Sequence, residues 1–180
     1  MSLKELIPAS VSCLLMVAGL ASPGWFYYKI HIINLNATLH VGLWYTVECS
    51  ENSCDAKYNK LELKLEHTES DRMIGTLAVM FCIIAVGLAI IHLFCTTSGP
   101  TAKRVLKIAF IWACVLAGVL GLTVSSRIAD EIREGTAQNS QYVIATTYFP
   151  YSLVLHGVGA SVALATTAFH TRLLISVDPS

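Results

Sequence analysis

The chain has 180 residues, 54% hydrophobic and only 13% charged, with 12 basic and 12 acidic side chains and a formal net charge of zero. A soluble domain carries about 25% charged residues, so an ordinary water-soluble fold is excluded. The balanced charge argues against nucleic acid as a partner, and the length suits one domain, 1–180, with nothing left for a separate catalytic unit.

The apolar residues gather into four blocks. They predict transmembrane helices at about 6–24, 73–95, 105–125 and 148–175, each near or above the roughly 20 residues that cross the hydrocarbon core. The expected fold is a membrane α-helical one, a left-handed four-helix bundle with a small extracellular antiparallel β-sheet. The sheet is assigned to outer loop 25–72, with a second outer loop at 126–147.

In the first block, Lys4, the apolar run and Gly19-Leu20-Ala21 also fit a cleaved signal peptide. The aromatic belt Trp25-Phe26-Tyr27-Tyr28 that follows suits a membrane–water interface and favours a retained span.

The first outer loop reads as strands. Tyr28, Ile30 and Ile32 alternate with Lys29 and His31, and Leu61, Leu63 and Leu65 alternate with Lys60, Glu62, Lys64 and Glu66. Between them Leu39 to Cys49 reads as one further strand. Ser50-Glu51-Asn52-Ser53 is turn chemistry. Cys49 and Cys54 on either side of it are the only loop pair among six cysteines, expected to join if the loop faces an oxidising compartment. Two thiols without clustered His or Cys fall short of a zinc site. Asn36-Ala37-Thr38 is an N-glycosylation sequon.

Cys13, Cys82 and Cys114 fall inside apolar runs and read as small buried hydrophobes. Cys95 closes the second span on the cytoplasmic side, a candidate for acylation against the plainer reading of a free interfacial thiol. Lys103-Arg104-Lys107, in or beside the short turn, favours cytoplasmic termini. After the third span, Ile128 and Ile132 stand four apart, with Arg127–Glu131 and Asp130–Arg133 at ion-pair spacing. The helix is therefore expected to run about two turns past the membrane and stop at Gly135. Tyr142-Val143-Ile144 reads as a short strand before Pro150. Gly118 and Gly121 in the third span, and Gly157, Gly159, Ala160, Ser161, Ala163 and Ala165 in the fourth, permit close helix approach.

Trp25, then Gly42-Leu43-Trp44, then Cys49 and Cys54, then Arg72 before the second span, stand in an order that resembles the claudin-like superfamily. That group comprises claudins, peripheral myelin and epithelial membrane proteins, and gamma-type auxiliary subunits of calcium channels and glutamate receptors. The resemblance covers the chain by topology and residues 25 to 72 by motif. It implies a Cys49–Cys54 disulfide and a plasma-membrane protein with cytoplasmic termini. Trp25 and Trp44 are expected to wedge between sheet and bilayer with their N–H groups wet. Gly42 is expected to allow a turn or close packing, and Arg72 to cap loop carbonyls or pair with Glu69 or Asp71. The motif residues read as holders of the fold rather than as contacts to a partner. Two departures stand out. The four-residue gap between the cysteines is closer to epithelial membrane proteins than to most claudins. The tail Val177-Asp178-Pro179-Ser180 lacks the hydrophobic end that engages PDZ scaffolds.

The function expected from this resemblance is cell–cell contact or paracellular barrier formation at cell junctions, through pairing with like or related four-span proteins in cis or trans. Residues 26–72 carry seven acidic against five basic side chains, an excess that would weakly favour cations. The alternative is an auxiliary subunit of an ion channel or receptor, or a membrane organiser of the epithelial type. No nucleophile–base pair, phosphate loop or metal-spaced cluster appears, so neither an enzyme nor a cofactor is expected, and membrane lipids are the remaining partner. Of the histidines in or near spans, His92, His156 and His170, His156 lies deepest in its span. It reads as a neutral imidazole bonded to a neighbouring helix rather than a proton relay.

Overall fold

The computed structural model describes residues 3–32, 35–50, 53–58, 68–94, 99–138, 146–147 and 150–176. Helices α1 (Leu3–Ala21), α2 (Thr68–Phe94), α3 (Pro100–Gln138) and α4 (Tyr151–Ser176) close into a ring. In it α1 and α3 each pack against both α2 and α4. Three of them carry apolar stretches long enough to cross a membrane, Glu69–Phe94, Pro100–Asp130 and Tyr151–Arg172. The apolar part of α1, Leu6–Ala21, is shorter. It ends three residues before the expected 24 because Pro23 disfavours helical dihedrals at Ser22, and Ser22 N closes the last turn on Ala18 O at 3.0 Å.

Strands β1 (Phe26–Ile32), β2 (Leu35–Val41), β3 (Tyr45–Cys49), β4 (Cys54–Tyr58) and β5 (Thr146–Thr147) form one sheet in the order β4-β3-β2-β1-β5. The β1–β2, β2–β3, β3–β4 and β1–β5 pairs are all antiparallel. The expected single strand from Leu39 to Cys49 is corrected: Gly42-Leu43-Trp44 breaks it into β2 and β3. The reversal is closed by Gly42 N donating to Tyr45 O at 2.9 Å. A Cβ on Gly42 would lie 2.9 Å from both Pro23 Cα and Tyr45 O, so the turn sits too tightly against the backbone of 22–23 for any side chain. The predicted strand at 60–66 and Tyr142-Val143-Ile144 lie outside the described residues.

Helix α3 departs from expectation at its end. Gly135 lies inside the helix, not at its cap, and α3 continues to Gln138. At 39 residues and about 1.5 Å per residue, α3 is far longer than a bilayer needs.

The interior falls into three clusters along the bundle. At the sheet end Trp25, Val41, Leu43, Val124, Ile128 and Leu153 are buried together. In the middle stand Met16, Ala78, Val79, Cys82, Ala117 and Ala160. Farthest from the sheet are Ala9, Ala85, Ala89, Phe110, Ala113 and Cys114. The small residues of the lower two layers let the helices approach closely where lipid supplies no hydrophobic drive for association. Gly19 shows how closely: a Cβ there would stand 2.6 Å from His156 N and 2.7 Å from Ser152 O, both backbone atoms of α4.

Candidate interaction surface

The motif residues converge where the sheet meets the bundle. Trp25 immediately precedes β1, and its backbone N donates to Val41 O at 3.1 Å, so the strand's entry is fixed in register. Its side chain is fully buried in the sheet-end cluster, not wedged at the bilayer surface as expected. The indole Nε1 donates to Gly19 O at 2.7 Å rather than to water. A buried indole must find such a partner, and the last turn of α1 supplies a carbonyl there. Trp44 is only partly buried, packed on the edge of the same cluster.

Two further ties lock the sheet to the helices. Arg72 Nε on α2 donates to Leu43 O in the β2–β3 turn, so among the expected partners of Arg72 a loop carbonyl is the one found. Ser152, in the first turn of α4, is fully buried and accepts from Gly24 N at 2.8 Å. Its own backbone N donates to Gly24 O at 3.2 Å, and its hydroxyl meets Ser22 Oγ at 2.6 Å. The segment between α1 and β1 is thus bound on both polar sides, leaving few backbone groups orphaned at a buried corner.

Asp71, neighbour to Arg72, is 1% exposed and pairs across to Arg127 of α3, Nη1 to Oδ1 at 3.2 Å. Spacing along one helix pointed to Glu131 as the partner of Arg127; the side chain of Glu131 lies outside the described residues. No local signal marks the Asp71–Arg127 pair, because its members are neighbours only through helix packing. Ser12 was equally silent within an apolar run. It is fully buried, donates to Gly159 O at 2.7 Å and lies 3.5 Å from Cys82 Sγ. His156 is buried, with Nδ1 3.3 Å from Ser125 Oγ on the neighbouring α3, and its ring lies 5.4 Å from that of Trp25. Cys13, Cys82 and Cys114 are free thiols inside the bundle.

At the far end of the sheet a disulfide joins Cys49 to Cys54, paired opposite each other at the mouth of the β3–β4 hairpin. Ser50 N donates to Ser53 O at 2.9 Å across the turn. The next pair inward is Glu48 opposite Asp55, both exposed. Like charges directly opposite oppose strand pairing, and the disulfide beside them holds the strands together. His40 on β2 faces Tyr27 and Val47 in register, and burial pushes its imidazole below the ordinary value of 6.5. Asn36 lies in β2, paired with His31, with its side chain outside the described residues, as is Cys95. Among the described residues no group of three or more His, Cys, Asp or Glu is placed to hold a metal ion.

The geometry is that of a sheet tied by hydrogen bonds to α1, α2 and α4. Comparison with models of known families matches residues 3–169 to the PMP-22/EMP/MP20/Claudin family. Comparison with curated proteins gave no match.

Proposed function

The chain belongs to the PMP-22/EMP/MP20/Claudin family, whose members are non-enzymatic membrane proteins, and from that premise we propose that it acts in cell–cell contact or paracellular barrier formation. In this reading the sheet faces the extracellular space, both chain ends lie in the cytosol, and the sheet is the surface by which copies or related four-span proteins assemble. The observation that carries it is the mounting of the sheet. Trp25 on Gly19, Arg72 on Leu43 and Ser152 on Gly24 fix it to three of the four helices. A sheet tied at its base in this way lowers the ordering cost of association. Among the described residues strands β4 and β5 occupy the two sheet edges, and edge strands are ready templates for pairing with another chain. The exposed Glu48–Asp55 pair would favour cations in any passage the sheet lines.

A second reading is favoured by α3, which at 39 residues extends well beyond a bilayer's thickness and offers a helical surface for docking beside a channel or receptor. Freeze-fracture of cells expressing this chain alone separates the two. Continuous intramembrane strands support the barrier reading. Scattered particles, together with co-purification of a channel or receptor, support the auxiliary one.

A further inference from the structure

A groove of about 470 Å3 opens where the sheet meets the first turns of α2, lined by Trp44, Glu69, Arg72, Met73, Thr76 and Leu77. Its depth in the membrane follows from α2 itself. The hydrocarbon core takes about 20 helical residues. Counted back from Phe94 at the far end of α2, they end near Gly75. Glu69 and Arg72 therefore stand in the headgroup layer, and Thr76 and Leu77 at the upper edge of the acyl region. Met73 and Leu77 are 68% and 49% exposed, so the lower half of the groove presents apolar surface at the depth where acyl chains begin.

The groove thus places the Glu69 carboxylate and the Arg72 guanidinium of α2, with the indole of Trp44 from the β2–β3 turn, above an apolar floor. Arg72 is anchored by its Nε on Leu43 O, and its terminal nitrogens carry the remaining N–H donors of the fork. A guanidinium matches the oxygens of a phosphate. A quaternary ammonium is recognised by an aromatic face and by a nearby carboxylate, here Trp44 and Glu69. We propose that this groove holds the phosphocholine headgroup of a membrane phospholipid. The phosphate sits at Arg72, the quaternary ammonium between Glu69 and Trp44, and the first acyl methylenes lie over Met73, Thr76 and Leu77. The charges favour a headgroup carrying both signs, since an anionic lipid sets its phosphate on Arg72 but brings no cation to Glu69, and the indole of Trp44 favours a quaternary ammonium. Free phosphocholine would leave the apolar floor uncovered.

The test is native mass spectrometry of the full chain in detergent, titrated with dioleoylphosphatidylcholine, dioleoylphosphatidylglycerol or free phosphocholine. The wild-type protein is expected to retain one phosphatidylcholine in preference to phosphatidylglycerol, and free phosphocholine weakly. Glu69→Gln is expected to weaken phosphatidylcholine about tenfold, the scale of one charge-assisted contact, while leaving phosphatidylglycerol unchanged or tighter. Leu77→Trp fills the floor from an exposed position and is expected to weaken both lipids. Equal wild-type affinity for the two lipids would overturn the proposal. So would unchanged phosphatidylcholine binding in both variants, or a lipid-free dimer that those same variants abolish, since that dimer would assign the groove to a second copy.

Discussion

The indole N–H of Trp25 donates to the carbonyl of Gly19 at 2.7 Å, so the entry to the sheet and the last turn of α1 are one mechanical unit. Trp25→Phe keeps an aromatic ring in the sheet-end cluster but removes the donor. The loss is expected to cost about 2 kcal/mol, read as a lower thermal midpoint in detergent. An unchanged midpoint would mean that the ring alone holds the corner.

The carbonyl that Trp25 uses belongs to a glycine that also sets the distance between two helices. Ala at position 19 would press its Cβ on the α4 backbone at His156 and Ser152, and backbone yields only if the helices part. The expected loss is about 1–3 kcal/mol. Gly87→Ala is the control, because no atom lies within 4 Å of its added Cβ, and it should leave stability unchanged or slightly raised. Equal effects at the two positions would contradict close packing of α1 on α4.

Arg127→Gln should cost about 3 kcal/mol, because it removes the guanidinium that pairs with the buried Asp71 carboxylate. Asp71→Asn in the same chain should recover most of that loss. A thermal-unfolding double-mutant cycle measures the coupling. Additive losses would show that the pair contributes nothing beyond its separate members.

Much of this fold is written in the pattern of apolar runs, because a segment in lipid must satisfy its backbone internally and so must be a helix. Helices α2 and α4 accordingly lie over the blocks predicted for them. The β3–β4 hairpin is legible for a related reason: Ser50 and Ser53 supply a turn between two cysteines, and the chain has no other loop cysteine pair. What fails to show is whatever depends on a neighbour from elsewhere in the chain. Leu39 to Cys49 is strand-rich apart from Gly42, which is compatible with a turn or with close packing inside one strand, and the approach of Pro23 to Gly42 shows that both occur there. An indole after a membrane span looks interfacial until the acceptor at Gly19 is seen. Gly135 resembles a helix stop, yet α3 runs through it. Asp71, Arg127, Ser12 and Ser152 carry no local mark of their partners, which are met only when the helices are packed.

His40 gives the sheet a pH dependence of definite sign. Burial lowers its folded-state value below 6.5, so the unfolded chain takes up the proton first as pH falls. Its contribution to stability is therefore full above about 6.5, declines as pH drops through that value, and levels once the folded protein is also protonated. Unfolding midpoints measured at pH 7.5 and pH 5 should differ, and His40→Gln should reduce that difference. A variant with the wild-type pH profile would show that the sheet does not restrain this imidazole.

The disposition of the sheet relative to the cell decides whether it can meet a partner on a neighbouring cell. A membrane-impermeant thiol reagent, applied to intact cells expressing the chain with a C-terminal epitope, reads this directly by mass spectrometry. Cys49 and Cys54 are expected to be unmodified at first and to become labelled after an impermeant reductant, while the epitope stays hidden from antibody until the cells are permeabilised. Labelling of both cysteines without reduction, or an epitope exposed on intact cells, would contradict an outward sheet clasped by its disulfide.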